Sequence, residues 1–404
     1  MVEILPVALA TIFCWCVLAR RLEQVGLTAP TVFVSVGWGL AMVFGMSALE
    51  GYHELVKLIA EVTLVWVLFA DASTVQLSQF RRDLGIYTRL LGVGLPLTVA
   101  LGAWVAVVLL DFDVWAAVLL AAALAPTDAA LGAAVMSNPV VPERIRRALN
   151  VESGLNDGIA TPIVLVAIAG VATAEGITGV DDPSRAVLAL LVGLVAGVVV
   201  GGLGGYVTRV ARRRGWLSED LGGPAVLALA LLAYVGALVV DGNGFVAAFV
   251  GGLVFGGTAG RGGPREVAFV EQSGALASMV SWLTFGALAV PFIGDWLSWE
   301  VIAYALLSLT VVRMLPVGLA LAGAEGFDRF GVLFIGWFGP RGLASVIFAL
   351  LALEDLHGAG TKVVAVIALT VLLSVIAHGF TANPLAWRFG REAPASPSPA
   401  RTLS

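Results

Sequence analysis

The sequence predicts an all-α polytopic membrane protein. Thirteen transmembrane helices are expected, forming two inverted six-helix repeats with two crossed, discontinuous helices. Three observations lead there. First, 59% of the 404 residues are hydrophobic and 13% charged, with a mean hydropathy of +0.97; a soluble chain of this length needs far more polar surface. Second, apolar runs of about twenty residues recur along the chain between polar or Gly/Pro punctuation. Third, the arginines fall in alternate loops.

In order, the apolar runs span 2–19, 28–47, 54–78, 86–110, 114–137, 145–173, 184–209, 222–240, 243–260, 270–291, 300–321, 330–353 and 361–386. The odd-numbered loops carry Arg20/Arg21, Arg81/Arg82, Arg144/Arg146/Arg147, Arg209 with Arg212 to Arg214, Arg261/Arg265 and Arg329. Arg388 and Arg391 follow the last run. The even-numbered loops are acidic or neutral, and only Lys57, Arg185 and Lys362 fall near them. A miscounted helix would scramble this alternation. By the positive-inside rule the N-terminus lies outside and the C-terminus in the cytoplasm of a cell membrane. The net charge of -5 adds little, since distribution matters more than sum. The start of the chain lacks a basic stretch and a cleavage site, so no signal peptide is expected.

Thirteen divides as six, one and six. The transmembrane domain is expected over 1–386, with repeat one at 1–173, a linker helix at 184–209 and repeat two at 222–386. Residues 387–404, rich in Pro, Ser and Ala, are expected to form a short disordered cytoplasmic tail. The linker helix carries Gly193, Gly197, Gly201 and Gly205, a small-residue stripe that suits close helix packing and, less readily, a dimer contact. Cys14 and Cys16 are expected to be inert buried thiols, because two-residue spacing on a helix suits neither a disulfide nor a metal.

Six charges stand out near the middle of the apolar runs: Asp71, Asp128, Glu152, Asp157, Arg313 and Arg341. Each costs about 2.5–3.5 kcal/mol at the bilayer centre even on insertion scales, so each needs a reason. Asp71 and Asp157 lie roughly 15 Å along a helix from the nearest arginine loop, near the middle of a layer about 30 Å thick. Arg313 and Arg341 reach the same depth, and Asp128 lies at the centre of its run. Glu61 and Glu271, nearer helix ends, are expected to be ordinary interface residues.

Two runs are interrupted at that depth. "LAPTDAALG" places Pro126 beside Asp128, and "GWFGPRGLAS" places Gly339, Pro340 and Gly342 around Arg341. Proline removes a backbone donor and glycine loosens the next turn. The breaks fall in the fifth run of each half, the pattern that marks a transport site. Where such helices cross, Asp128 can offset the positive half-helix ends and Arg341 the negative ones.

"NVESGLNDGIATPIV" then makes sense. Ser153 and Asp157 share one helix face, with Glu152 and Asn156 on the adjacent one. Ser153, Asp157 and the freed carbonyl of Thr127 are hard oxygen ligands suited to a small cation such as Na⁺. Glu152 and Asn156 can engage Arg313. His53, His357 and His378 are dispersed, and no nucleophile–His–acid set exists. Neither an enzyme, a cofactor nor a nucleic-acid partner is expected.

"PTDAALG", "ESGLNDG" and "FGPRG", in that order, make the chain resemble the monovalent cation/proton antiporters of the sodium/proton exchanger type over essentially its whole length. The resemblance implies a core domain with two crossed unwound helices, a separate dimerisation domain, a homodimer in lipid and elevator-like movement. Asp157 would bind either cation or proton, and Thr127, Asp128 and Ser153 would complete the Na⁺ site. Glu152, Asn156 and Arg313 would form a supporting network. Asp71 falls where many relatives place Glu, and a shorter acid reaches the ion through water. Asn156 before Asp157, in place of a second Asp, implies electroneutral one-for-one exchange. Na⁺ and Li⁺ use the same ligand types as K⁺, so K⁺/H⁺ exchange is the main alternative. A gated cation channel is a weaker one, because the opposite charges are clustered and can neutralise one another.

Overall fold

The computed structural model describes residues 4–24, 27–45, 53–75, 84–129, 131–136, 138–177, 182–218, 220–260 and 263–392. Arg81, Arg82, Arg261 and the end of the expected tail, 393–404, lie outside them. The described residues form helices and no strand. Helix runs through every expected apolar run: Ile4–Gln24, Ala29–Phe44, His53–Thr74, Leu84–Leu110, Val114–Leu124 with Ala133–Met136, Glu143–Ala174, Pro183–Arg213, Gly222–Leu238, Gly244–Thr258, Gly263–Leu288, Trp299–Leu309 with Val311–Ala320, Arg329–Trp337 with Leu343–Leu356, and Thr361–Glu392. They are called first to thirteenth below.

Polar loop residues set the helix starts. Asp113 accepts from the Trp115 and Ala116 amides, Asn243 from Val246, Ser298 from Val301 and Asp328 from Gly331. Each satisfies backbone donors that the first helical turn leaves free. Asp182 caps the seventh helix, and its bonds from the Ser184 hydroxyl and the Arg185 amide hold its carboxyl below the usual range. Pro96 cannot donate to the turn before it, and the fourth helix widens into a π turn over Leu90–Gly94, where Leu95 N–H reaches Leu90 O.

The helices sort into two bundles. In one, the seventh packs on the ninth, the tenth on the second and third, and the third on the ninth. In the other, the fifth lies between the fourth and sixth, and the thirteenth packs on the eleventh and twelfth. The third, ninth and tenth helices meet the sixth and the second half of the twelfth along the seam.

The glycine stripe of the seventh helix is used inside the chain. A Cβ on Gly193, Gly197 or Gly201 would lie 2.3, 2.6 or 2.2 Å from a backbone oxygen of Asn243, Ala247 or Gly251 on or beside the ninth helix. Close packing holds, and the stripe is not free for a dimer contact. Cys14 and Cys16 correct the expectation of burial, since both are exposed. The first helix is only 6% buried over its apolar window, so most of its sides face outward. The last helix runs to Glu392, past the expected start of the tail, because Phe389 packs on Phe330 and Phe334 and Arg388 lies over the Phe330 ring. The eleventh helix has a break the sequence did not suggest, at Thr310 (φ -113, ψ -91).

Candidate cation site

The two interrupted runs cross. The Asp128 amide donates to Pro340 O at 2.9 Å, joining one unwound segment to the other. One Asp128 carboxylate oxygen accepts from its own turn, Leu131 N–H at 3.2 Å. The second accepts from Leu343 N–H at 2.9 Å, the start of the second half of the twelfth helix. A carboxylate here meets the positive end of a helix and a free backbone donor at once. Gly342 makes room, since a Cβ there would lie 2.0 Å from Asp128 Oδ2.

The freed carbonyls are met as well. Arg341 is fully buried, and its guanidinium donates to Gly339 O at 3.0 Å and Ser308 O at 3.3 Å, the latter beside the Thr310 break. Its backbone amide donates to Ser374 Oγ at 2.7 Å. Ser345 donates to Ala123 O at 2.6 Å, and His378 Nε2 meets Trp337 O at 2.8 Å. Arg341 thus works through carbonyls, at the negative ends of half-helices. Ser345, Ser374 and His378 carried no sequence signal, because each completes another segment's backbone.

Arg313 and Glu152 form a buried ion pair, Nη1 to Oε1 at 2.6 Å, with side chains 1% and 3% exposed. Asn156 does not join it, contrary to the expectation for the adjacent face. Its Nδ2 donates to Thr127 Oγ1 at 2.7 Å, and Thr127 Oγ1 lies 2.9 Å from Ser153 Oγ. Thr127 sits in the unwound segment, so its hydroxyl reaches the sixth helix and accepts from the amide there.

Thr127, Asp128, Ser153, Asp157 and Asp71 share one cavity of about 620 Å³. Glu23 and Thr28, in the turn after Arg20 and Arg21, line it too, so it extends toward the arginine-bearing end. Asp157 lies at its inner wall, 7% exposed. Asp157 Oδ1 and Asn156 Oδ1 are buried and have no hydrogen-bond partner among the described residues. Asp71, half-buried in the last turn of the third helix, faces the site from the other bundle. Glu271, expected to be an ordinary interface residue, also lines the cavity. The buried Asp157 carboxylate and the Thr127 and Ser153 hydroxyls, gathered in one pocket, are ligands for a hard monovalent cation.

A polytopic membrane protein whose crossed, broken helices hold a buried oxygen site is the class defined here. The sequence model of the sodium/hydrogen exchanger transmembrane family matches residues 7–388, and the chain belongs to that family. It is 28% identical over 294 residues to the Na⁺/H⁺ antiporter NhaH of Halobacillus dabanensis, covering 70% of each chain. It is 24% identical over 301 residues to the K⁺/H⁺ antiporter NhaP2 of Shewanella sp. strain MR-4, covering 74% of this chain and 51% of the relative. The chain thus spans about half the length of the Shewanella relatives. Its fold is that of the sodium proton antiporter MjNhaP1 from Methanocaldococcus jannaschii, with a TM-score of 0.79 at 20% identity over 96% of this chain and 99% of that one.

Proposed function

We propose that the protein exchanges Na⁺ or Li⁺ for H⁺ across a cell membrane by alternating access. The observation that carries this is Asp157 Oδ1, a buried carboxylate oxygen with no hydrogen-bond partner among the described residues, at the wall of a cavity lined by Thr127, Ser153 and Asp128. Such a carboxylate needs a counter-charge, because an isolated ion in an apolar interior is costly. A proton or a monovalent cation supplies it, and each displaces the other. Exposing the site to the two sides in turn converts that competition into exchange without a cofactor or a covalent step. Asp128 is committed to two backbone amides, so its part in ion binding is to hold the unwound segment that presents Thr127. Asp71 contributes field across the seam.

The exchange is one-for-one on this reading. Only Asp157 changes its load, while Glu152 is held by Arg313. Two inverted repeats, a homodimer in lipid and a cytoplasmic arginine-bearing end complete the proposal, and the cavity then opens inward. K⁺ in place of Na⁺ is a second reading, supported by the K⁺/H⁺ antiporters among the relatives. The test uses purified protein in liposomes with a trapped pH dye, challenged in turn with NaCl, LiCl, KCl and choline chloride. A proton flux with NaCl and LiCl alone supports the first reading, and one with KCl the second. No response to any alkali cation overturns both.

A further inference from the structure

The acidic end of the molecule holds a second ion pair that the site does not use. Lys57 Nζ lies 2.7 Å from Asp355 Oδ1, with side chains 38% and 22% exposed. Lys57 is in the first turns of the third helix and Asp355 at the end of the second half of the twelfth. The pair therefore joins the two bundles directly across their seam. It lies at the end opposite the cavity, whose lining includes neither residue. Lys57 has two more acids around it, Glu54 and Glu61. Glu61 is one turn further on the same helix, within reach of the Lys57 side chain, and its hydrogen-bonding neighbour is Tyr234 of the eighth helix.

We infer that Lys57 and Asp355 form a latch that keeps the acidic end shut while the cavity is open at the other end. The inference rests on the alternating-access reading above. If the bundles slide past one another, the Lys57–Asp355 contact must break, because its partners ride on different bundles. Lys57 then passes to Glu61, which moves with it. A lysine with a partner in both states loses little when the latch opens, so the contact biases the equilibrium without freezing it. A long flexible stem with a compact charge suits such an exchange of partners better than a planar guanidinium.

The test reads opening directly. Ala60 is fully buried, lies on the Lys57 face of the third helix and does not line the cavity. A single reporter, Ala60→Cys, is placed in a protein with Cys14→Ser and Cys16→Ser, and labelling by a polar maleimide is timed in detergent. Labelling requires the acidic end to open, so its rate follows the minor population. Lys57→Gln and Asp355→Asn should each speed labelling by about fivefold, the most that a part-exposed ion pair supports. The swapped pair, Lys57→Asp with Asp355→Lys, and the conservative Asp355→Glu should label at the slow parental rate. Glu61→Gln should slow labelling in the parent and leave it unchanged in Lys57→Gln. Unchanged rates in both neutral variants, or a swapped pair as fast as either, would overturn the latch. Equal effects of Glu61→Gln in both backgrounds would remove Glu61 from it. Cation-driven proton flux by the parent in liposomes is read separately, so failed exchange and a failed latch give different results.

Discussion

Removing Arg313 should cost the fold more than neutralising Glu152. The pair is 2.6 Å apart and its side chains are 1% and 3% exposed. Arg313 Nε and Nη2 and Glu152 Oε2 have no further hydrogen-bond partner among the described residues, and buried Arg341 is a more distant second cation for Glu152. Arg313→Ala leaves a carboxylate uncompensated in an apolar interior, at a cost of about 3–5 kcal/mol. Glu152→Gln also removes the counter-charge of a buried group, but it keeps a carbonyl oxygen where Oε1 was, so Nη1 retains an acceptor and the loss is smaller. The double variant Arg313→Met, Glu152→Leu removes both charges and should recover much of the loss, since apolar replacement of a buried pair is often close to neutral. The assay is the temperature at which each detergent-purified protein loses its monodisperse elution peak. The expected order, from most to least stable, puts the parent first, then Glu152→Gln or the double variant, with Arg313→Ala last. Arg313→Ala melting with the parent, or a double variant no better than Arg313→Ala, would falsify the pairing argument.

Three further expectations concern the site. Asp157→Asn should abolish exchange while the protein elutes and melts normally, because the Thr161 hydroxyl bonds the Asp157 backbone and not its carboxylate; sustained cation-driven proton flux would mean that another group carries the ion. Gly342→Ala should displace Asp128 Oδ2, which lies 2.0 Å from the new Cβ, and so lose both the Leu343 cap and exchange; the cap alone is worth about 1–2 kcal/mol, and an unshifted melting temperature with normal flux would argue against the crossing as described. With membrane potential clamped by K⁺ and an ionophore, the pH at which Na⁺ produces no net proton flux should not move with voltage; moving one charge is worth about 2.3 kcal/mol per 100 mV, so a drift would expose a second transported proton.

The helices, their order and the two breaks were legible in the sequence because each has a local cause. An apolar run reports its own burial, an arginine its own loop, and Pro126 or Pro340 its own missing donor. The depth of a charge follows from its distance along one helix, which is why Asp128, Asp157, Arg313 and Arg341 could be placed before any contact was known. Helix spacing also put Ser153 with Asp157 and set Glu152 apart from them.

Contacts between segments were decided by the fold. Face geometry offered Arg313 two partners, and of these the structure pairs it with Glu152. Asn156 turns to Thr127, which only the unwound segment brings within 2.7 Å. The breaks announced free carbonyls without naming who would meet them. Ser345 does so from the half-helix after the second break, His378 from a helix that looks ordinary in sequence, and Arg341 reaches Ser308 O beside a break at Thr310. The glycine stripe promised a close neighbour, and its identity, the ninth helix, came from packing. Glu271 became part of the cavity wall for the same reason. Periodicity fixes direction and depth within one helix. The partner of a side chain depends on how separate helices are set against one another, which no local pattern encodes.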